Sequence, residues 1–296
     1  MSGISVVILT RNEELNIADC LDSVAWSDDV HVFDSESTDR TATIARSRGA
    51  HVATRRFDSY AGQRNAALTT LHFKHEWVFV LDADERASGS LHTEMEAAIL
   101  SASPSVSAFR IRRLDYFLGR QLKHAQMAAW YVRLLRRGHA RYTRAVNEVL
   151  EVDGEILDLA CVFTHDSFSK GFSQWFEKHN AYSSMEAKIV VEGDFRAHAS
   201  LRTAFFEPDF HKRRQAQKAI FYCLPCRPLL RWIMYVFVRG GILDGYPGLV
   251  YSTLQAFYEW MIVLKTDELL RNRELALDLA DAYVCSLAPR LENRAK

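Results

Sequence analysis

The sequence predicts an α/β fold with a mostly parallel, Rossmann-like sheet and a helical C-terminal extension. Short apolar runs rich in β-branched residues recur at Ser5–Leu9, Val30–Phe33, His51–Ala53 and Trp77–Leu81, each bounded by polar residues. Helix-like patterns fill the gaps between them, and strands alternating with helices at this spacing mean βαβ units. Several of the runs also stop on a polar or acidic residue, at Thr10, Asp34 and Asp82. In open α/β sheets ligands sit beyond the carboxyl ends of the strands, so these three residues should converge on one crevice.

Each element has its own justification. Val6-Val7-Ile8-Leu9 is a nearly continuous apolar run, as expected of a strand buried on both faces. Arg11-Asn12-Glu13-Glu14 turns the chain, and Leu15, Ile17, Ala18, Leu21 and Val24 give a helical pattern. After the second strand, Thr41 to Arg48 reads as a helix capped by Ser37, Thr38 or Asp39 and stopped by Gly49. A third helix opens at Gly62-Gln63-Arg64-Asn65, and the fourth strand ends in Leu81-Asp82-Ala83-Asp84-Glu85. Ser101 to Pro104 marks a seam, after which Phe109–Arg113 resumes the sheet. Lys170–Val191 and most of the C-terminal third read as helix.

Asp82 and Asp84 are spaced so that a strand aims both to the same side. Two like charges held that close are costly unless a cation lies beside them. Hard divalent ions such as Mn²⁺ or Mg²⁺ take carboxylate oxygens and keep positions open for phosphates. A solvated acidic turn is the plainer reading of an isolated pair; the company of the other strand ends favours the metal.

The 296 residues, 48% of them hydrophobic, suffice for a sizeable core. A formal net charge of zero argues against general nucleic-acid binding. That zero hides an asymmetry. Residues 1–100 hold 16 acids and 9 Lys/Arg, whereas residues 101–150 hold 10 Lys/Arg with only Asp115 and Glu148 against them. The basic stretch suits an anionic acceptor, or equally a structural pairing of the two halves. Lys212–Arg239 carries seven Lys/Arg and no acid among aromatic and aliphatic residues. Peripheral attachment to an anionic membrane surface is one reading; a buried helix with snorkelling arginines is the other. Neither Trp232–Val238 nor the polar-interrupted Leu249–Leu264 reads as a membrane span. Five cysteines and no secretory signal at the start suit a reducing cytoplasm. Cys223-Leu224-Pro225-Cys226 lacks the second ligand pair of a zinc site.

Val6–Glu13, Asp34–Thr41, Ala61–Ala67 and Leu81–Glu85 together resemble, in order, the sequence blocks of a family 2, GT-A fold glycosyltransferase. Arg133–Gly138, Val146–Glu148, Thr164-His165, Lys178–Tyr182 and Gly241–Gly245 resemble the subgroup typified by the lipopolysaccharide-core β-1,4-glucosyltransferase, with Asn147 where that pattern has His. The resemblance implies a glycosyltransferase domain over 1–165, with a donor half at 1–100 and an acceptor half at 101–165, followed by a helical region at 166–296 with membrane association as one reading. It implies that Thr10, Asn12, Glu13, Asp34, Asp39, Arg64 and Asp82 hold the nucleotide of a UDP-sugar, and that Asp82 and Asp84 place Mn²⁺ or Mg²⁺ against its diphosphate. Glu148 is the implied base for the acceptor hydroxyl, or else a partner of Arg141 or Arg144. Arg133 and Arg136 are acceptor candidates, with a solvated basic face as the alternative. His165 and His179 read as packed or hydrogen-bonded rather than as metal ligands. The implied reaction is inverting transfer of a hexose, glucose favoured, to an anionic glycolipid or oligosaccharide acceptor such as the lipopolysaccharide inner core. A metal-dependent nucleotidyltransferase would put a Gly-rich loop where Arg11–Glu14 stands. A non-catalytic membrane adaptor on the same fold would have lost the carboxylates.

Overall fold

A computed structural model describes residues 3–126, 128–143, 149–166, 168–193 and 200–292. The chain divides into two compact units, Met1–Lys170 and Gly171–Lys296.

The first unit is built on one large sheet. Its opening strands are β1 (Ile4–Thr10), β2 (Val30–Asp34), β3 (His51–Thr54) and β4 (Trp77–Asp82), linked by α1 (Ile17–Ser23), α2 (Thr41–Ser47) and α3 (Tyr60–Thr70). After β5 (Glu85–Ala87) and α4 (Leu91–Ser101) come β6 (Val106–Phe117), β7 (Arg120–Gln121), β8 (Trp130–Arg136), β9 (Ala140–Thr143), β10 (Val149–Val152) and β11 (Glu155–Asp166). The sheet order is β3-β2-β1-β4-β8-β6-β11-β5, with β7 on β6, while β9 and β10 pair separately. The first four strands are mutually parallel, as the sequence predicts. Then β8 enters antiparallel between β4 and β6. That reversed strand carries Arg133 into the site.

The continuous apolar run of β1 is explained by burial on both faces. Val6 and Ile8 join a cluster with Ile17, Leu21, Phe79 and Leu81. Val7, one residue out of phase, joins the opposite cluster with Phe33, Ala67, Val78 and Val80. Each such side chain contributes about 1.5–3 kcal/mol, which fixes the register that brings the strand ends level. Thr10 pairs with Asp34 across β1 and β2, and Leu9 with Asp82 across β1 and β4. Helix α3 starts at Tyr60, ahead of the predicted Gly62, because the Ser59 hydroxyl caps it by accepting the Gly62 N–H at 3.0 Å. Gly49, at φ +82°, ends α2 as expected.

The second unit is helical: α5 (Gly171–Glu192), α6 (Leu201–Phe206), α7 (Phe210–Cys223), α8 (Arg227–Ile233), a π-turn (Met234–Val238), a 3₁₀ turn (Gly241–Asp244) and α9 (Gly245–Glu292). Buried Glu259 of α9 holds Arg231 at 2.7 Å and Arg227 at 3.6 Å. Among the described residues, no helix is long and apolar enough to cross a membrane.

Candidate active site

At the carboxyl ends of β1 and β2 two loops are pinned together by side chains. Thr10 Oγ1 donates to Asp34 Oδ1 at 2.7 Å. Asp34, itself buried, also accepts the Ser37 N–H at 2.8 Å and the Ser37 hydroxyl at 2.6 Å. Asn12 adopts φ +54°, a left-handed conformation that Asn tolerates better than most residues. The turn is held by its N–H donating to Ser37 Oγ and by its Oδ1 accepting the Thr38 N–H, both at 2.8 Å. Asp39 accepts the Glu14 N–H at 3.1 Å and the Thr41 N–H at 3.0 Å. Burial opposes ionisation of Asp39, but the bonds from Thr41 and Glu14 prevail and hold its carboxyl below the usual range. Glu13 accepts from Asn16 at 2.8 Å and pairs with Lys170; burial nevertheless raises its pKa.

One strand over, the end of β4 is a buried lattice of alternating charge. Arg64 of α3 grips Asp82 with Nη2 at 2.9 and 3.0 Å from the two carboxylate oxygens. From β8, Arg133 Nη2 reaches Asp82 at 3.1 Å and Glu85 at 2.5 Å. Glu85 closes the loop by accepting the Asp82 N–H at 3.0 Å. Burial alone would raise the pKa of Asp82, yet the two guanidiniums hold it well below the usual carboxylate range. Glu85 has no exposure, and burial pushes it up to about 7 against the pull of Arg133. Beyond this lattice lies Asp84, whose side chain stays 30% exposed. The imidazole of His165, on β11, bridges it to the buried Asp115: Nε2 is 3.3 Å from Asp84 and Nδ1 is 2.6 Å from Asp115. Burial depresses the pKa of His165, but its bonds to Asp115 and Asp84 overcome that and raise it to about 9. Arg113 completes the row, 3.1 Å from Asp115 and stacked over Tyr131 at 4.5 Å.

Nine of the predicted residues fall in two clusters. Thr10, Asn12, Glu13, Asp34 and Asp39 meet at the β1 and β2 ends, and Arg64, Asp82, Asp84 and Arg133 at the end of β4. Arg133 is buried against Asp82 and Glu85, so it forms no part of a solvated face. Arg136 is not brought to the cluster. It pairs with Trp77 at the opposite end of β4, bonding Glu76 at 2.7 Å and the Pro104 carbonyl at 3.0 Å. Glu148 lies outside the described residues. Glu85, Arg113 and Asp115 were not anticipated. The available signals were the third carboxylate of the Asp82–Glu85 run and the isolation of Asp115 in a basic segment. His165 is hydrogen-bonded, as expected, but to Asp84 itself. Among the described residues no group of three or more His, Cys, Asp or Glu has metal-holding geometry.

The sequence model of glycosyl transferase family 2 matches residues 5–152, half of the chain, and spans both strand-end clusters. The chain belongs to glycosyl transferase family 2. It is an enzyme of the glycosyltransferase class, and its mostly parallel mixed sheet with a helical C-terminal region is the expected GT-A arrangement. An uncharacterised glycosyltransferase of Rickettsia typhi is 29% identical over 96% of this chain and 93% of its own. The lipopolysaccharide core biosynthesis glycosyltransferase LpsC of Rhizobium meliloti is 27% identical over 86% of this chain and 90% of its own. Among solved structures, glucosyl-3-phosphoglycerate synthase of Mycobacterium tuberculosis, crystallised with Mn²⁺, UDP and glucosyl-3-phosphoglycerate, aligns at 21% identity. That alignment covers 38% of this glycosyltransferase and 44% of the synthase at a TM-score of 0.33.

Proposed function

We propose that this glycosyltransferase moves a hexose, glucose favoured, from a UDP-sugar to an anionic glycolipid acceptor of the lipopolysaccharide inner core, with inversion at the transferred carbon. The observation that carries the reading is the contrast between two neighbouring carboxylates: Asp82 neutralised by Arg64 and Arg133, Asp84 partly open beside His165. The name of the Rhizobium meliloti relative supports the acceptor class.

In this reading Thr10, Asn12, Glu13, Asp34 and Asp39 shape the nucleoside pocket, with the loop bonds above holding it ready before the donor arrives. Arg64 and Arg133 orient Asp82 and keep it ionised. The partly exposed carboxylate of Asp84, with Asp82 beside it, would offer Mn²⁺ or Mg²⁺ the oxygen donors those ions take, phosphates and water supplying the rest, while His165 positions Asp84 from Asp115. When bound, such an ion acts as a Lewis acid toward the leaving diphosphate. Glu148 takes the proton of the acceptor hydroxyl as general base. The nucleotidyltransferase alternative has less support, because Arg11–Glu14 offers no Gly-rich phosphate loop after β1.

The test is transfer from UDP-glucose, UDP-galactose and UDP-N-acetylglucosamine to purified lipopolysaccharide core lacking its outer sugars, read by mass spectrometry. The reading expects one added hexose with a β linkage, abolished in Asp84→Ala and reduced in Glu148→Gln. Nucleotide transfer to the acceptor, or full activity of Glu148→Gln, would count against it.

A further inference from the structure

The second unit displays bulky apolar side chains that its own helices do not cover. Phe205 and Phe206 end α6, while Val238, Leu243 and Tyr246 surround the turn between α8 and α9; all five are between 71% and 79% exposed. Bulky apolar side chains left in solvent at these two places on a folded unit mark surfaces for interaction.

The display at the turn is built rather than loose. Through the π-turn, Tyr235 and Val236 point into the unit and Phe237 and Val238 point out. Gly240, at φ +77°, then reverses the chain into the 3₁₀ turn. Gly248 of α9 lets that turn sit against the helix, since a Cβ there would lie 2.0 Å from the Gly241 carbonyl oxygen. Arg239 is held beside the exposed pair, its guanidinium 4.3 Å from the ring centre of buried Tyr235.

Charge selects the occupant. Residues 200–239 hold eight Lys/Arg against Glu207 and Asp209. Arg227 and Arg231 are consumed by Glu259, whereas exposed Arg202, Lys212 and Arg214 make no ion pair among the described residues. Asp209 is occupied in capping α7, accepting the Lys212 N–H at 3.0 Å. A surface whose uncommitted charge is cationic repels its own copy and attracts anionic headgroups. Aromatic and aliphatic side chains among cations are the composition of an interfacial, non-spanning contact.

We infer that residues 201–246 dock this enzyme on an anionic lipid bilayer, with Phe205, Phe206, Val238, Leu243 and Tyr246 entering the headgroup boundary and Arg202, Lys212, Arg214 and Arg239 meeting lipid phosphates. The inference extends the glycolipid reading by naming the surface that brings the enzyme to its acceptor. It is tested without donor or acceptor, so the two stand or fall separately.

The experiment is flotation of the full chain with phosphatidylcholine vesicles, with and without phosphatidylglycerol, at low and high salt. Expected is phosphatidylglycerol-dependent flotation that weakens with salt. Lys212→Ala and Arg214→Ala should each weaken it about fivefold. Val238→Ser/Leu243→Ser should reduce it by more than about tenfold, with an unchanged melting temperature because both side chains are exposed. Asp84→Ala should float like the unaltered enzyme. Absence of phosphatidylglycerol-dependent flotation overturns the inference, as does flotation that the double variant leaves intact. A dimer in sedimentation velocity that the same double variant splits also overturns it, assigning the surface to a second copy.

Discussion

The two ends of β4 carry the same kinds of side chain and use them differently. Near Trp77, Arg136 meets Glu76, and Lys74 and His75 share Asp28, with both carboxylates 60% exposed. At Asp82, Arg64 and Arg133 are nearly buried, and each bond there is shared with a partner that has another. Exposed pairs of the first kind contribute roughly 0–1 kcal/mol each. The second kind removes charges from water at a cost of several kcal/mol per ion, recovered only through tight geometry. A chain seeking stability alone gains little from such a lattice over apolar packing. Its presence beyond the carboxyl end of a central strand, with Asp84 left partly open, is what the donor reading explains.

The contrast can be broken in order of size. Asp84→Ala should lower transfer by on the order of a thousandfold, since a metal at a leaving group supplies several kcal/mol. Its urea midpoint should fall less than that of Arg133→Met, because Asp84 is the partly exposed end of the His165 bridge and Asp115 still holds the imidazole; a larger stability loss with activity retained would reverse the assignment. Arg133→Met should cost about 3–5 kcal/mol in urea unfolding by leaving Glu85 and part of Asp82 unpaired in the interior. A loss below about 1 kcal/mol would make the lattice no different from the surface pairs.

The third test uses pH. The pKa of His165 rises from 6.5 to about 9 in the folded protein. A cation stabilised in this way contributes fully below pH 6.5, and its contribution fades as pH climbs through about 9. In chelator-treated protein, the gap in stability between the unaltered enzyme and His165→Gln should approach about 3 kcal/mol at pH 6 and shrink toward pH 9.5. A gap that grows with pH would contradict the ion pairs to Asp84 and Asp115. The smallest effect belongs to Arg136→Ala, expected to change stability by less than about 1 kcal/mol and to leave transfer within about twofold. A larger loss of transfer would restore an acceptor role to the far end of the strand.

Much of the fold was legible because parallel strands buried on both faces write continuous apolar runs, and those of β1, β2 and β4 stop where the chain meets solvent. Thr10, Asp34 and Asp82 were readable for that reason. Arg133 was not, because Arg133–Arg137 reads locally as a solvated cluster. Its burial is decided by Asp82 and Glu85, which lie 51 and 48 residues away in sequence. His165 depends likewise on Asp115, 50 residues distant. Helix α3 was misplaced by two residues for the opposite reason: the deciding contact, Ser59 to Gly62, is local but outweighed by the glycine as a visible breaker. Charge pattern also misled at Arg136, which shares its segment with Arg133 but sits at the strand's other end.

The measurement that bears most directly on the donor site is calorimetric and thermal-shift titration with UDP, GDP and CDP, each with and without Mn²⁺, on the unaltered enzyme and Asp84→Ala. The account predicts selective UDP binding that Mn²⁺ tightens, with a rise in melting temperature by mass action, and loss of the Mn²⁺ effect in Asp84→Ala. Folded enzyme that ignores all three nucleotides, or binds UDP equally well without Mn²⁺ and without Asp84, would contradict it.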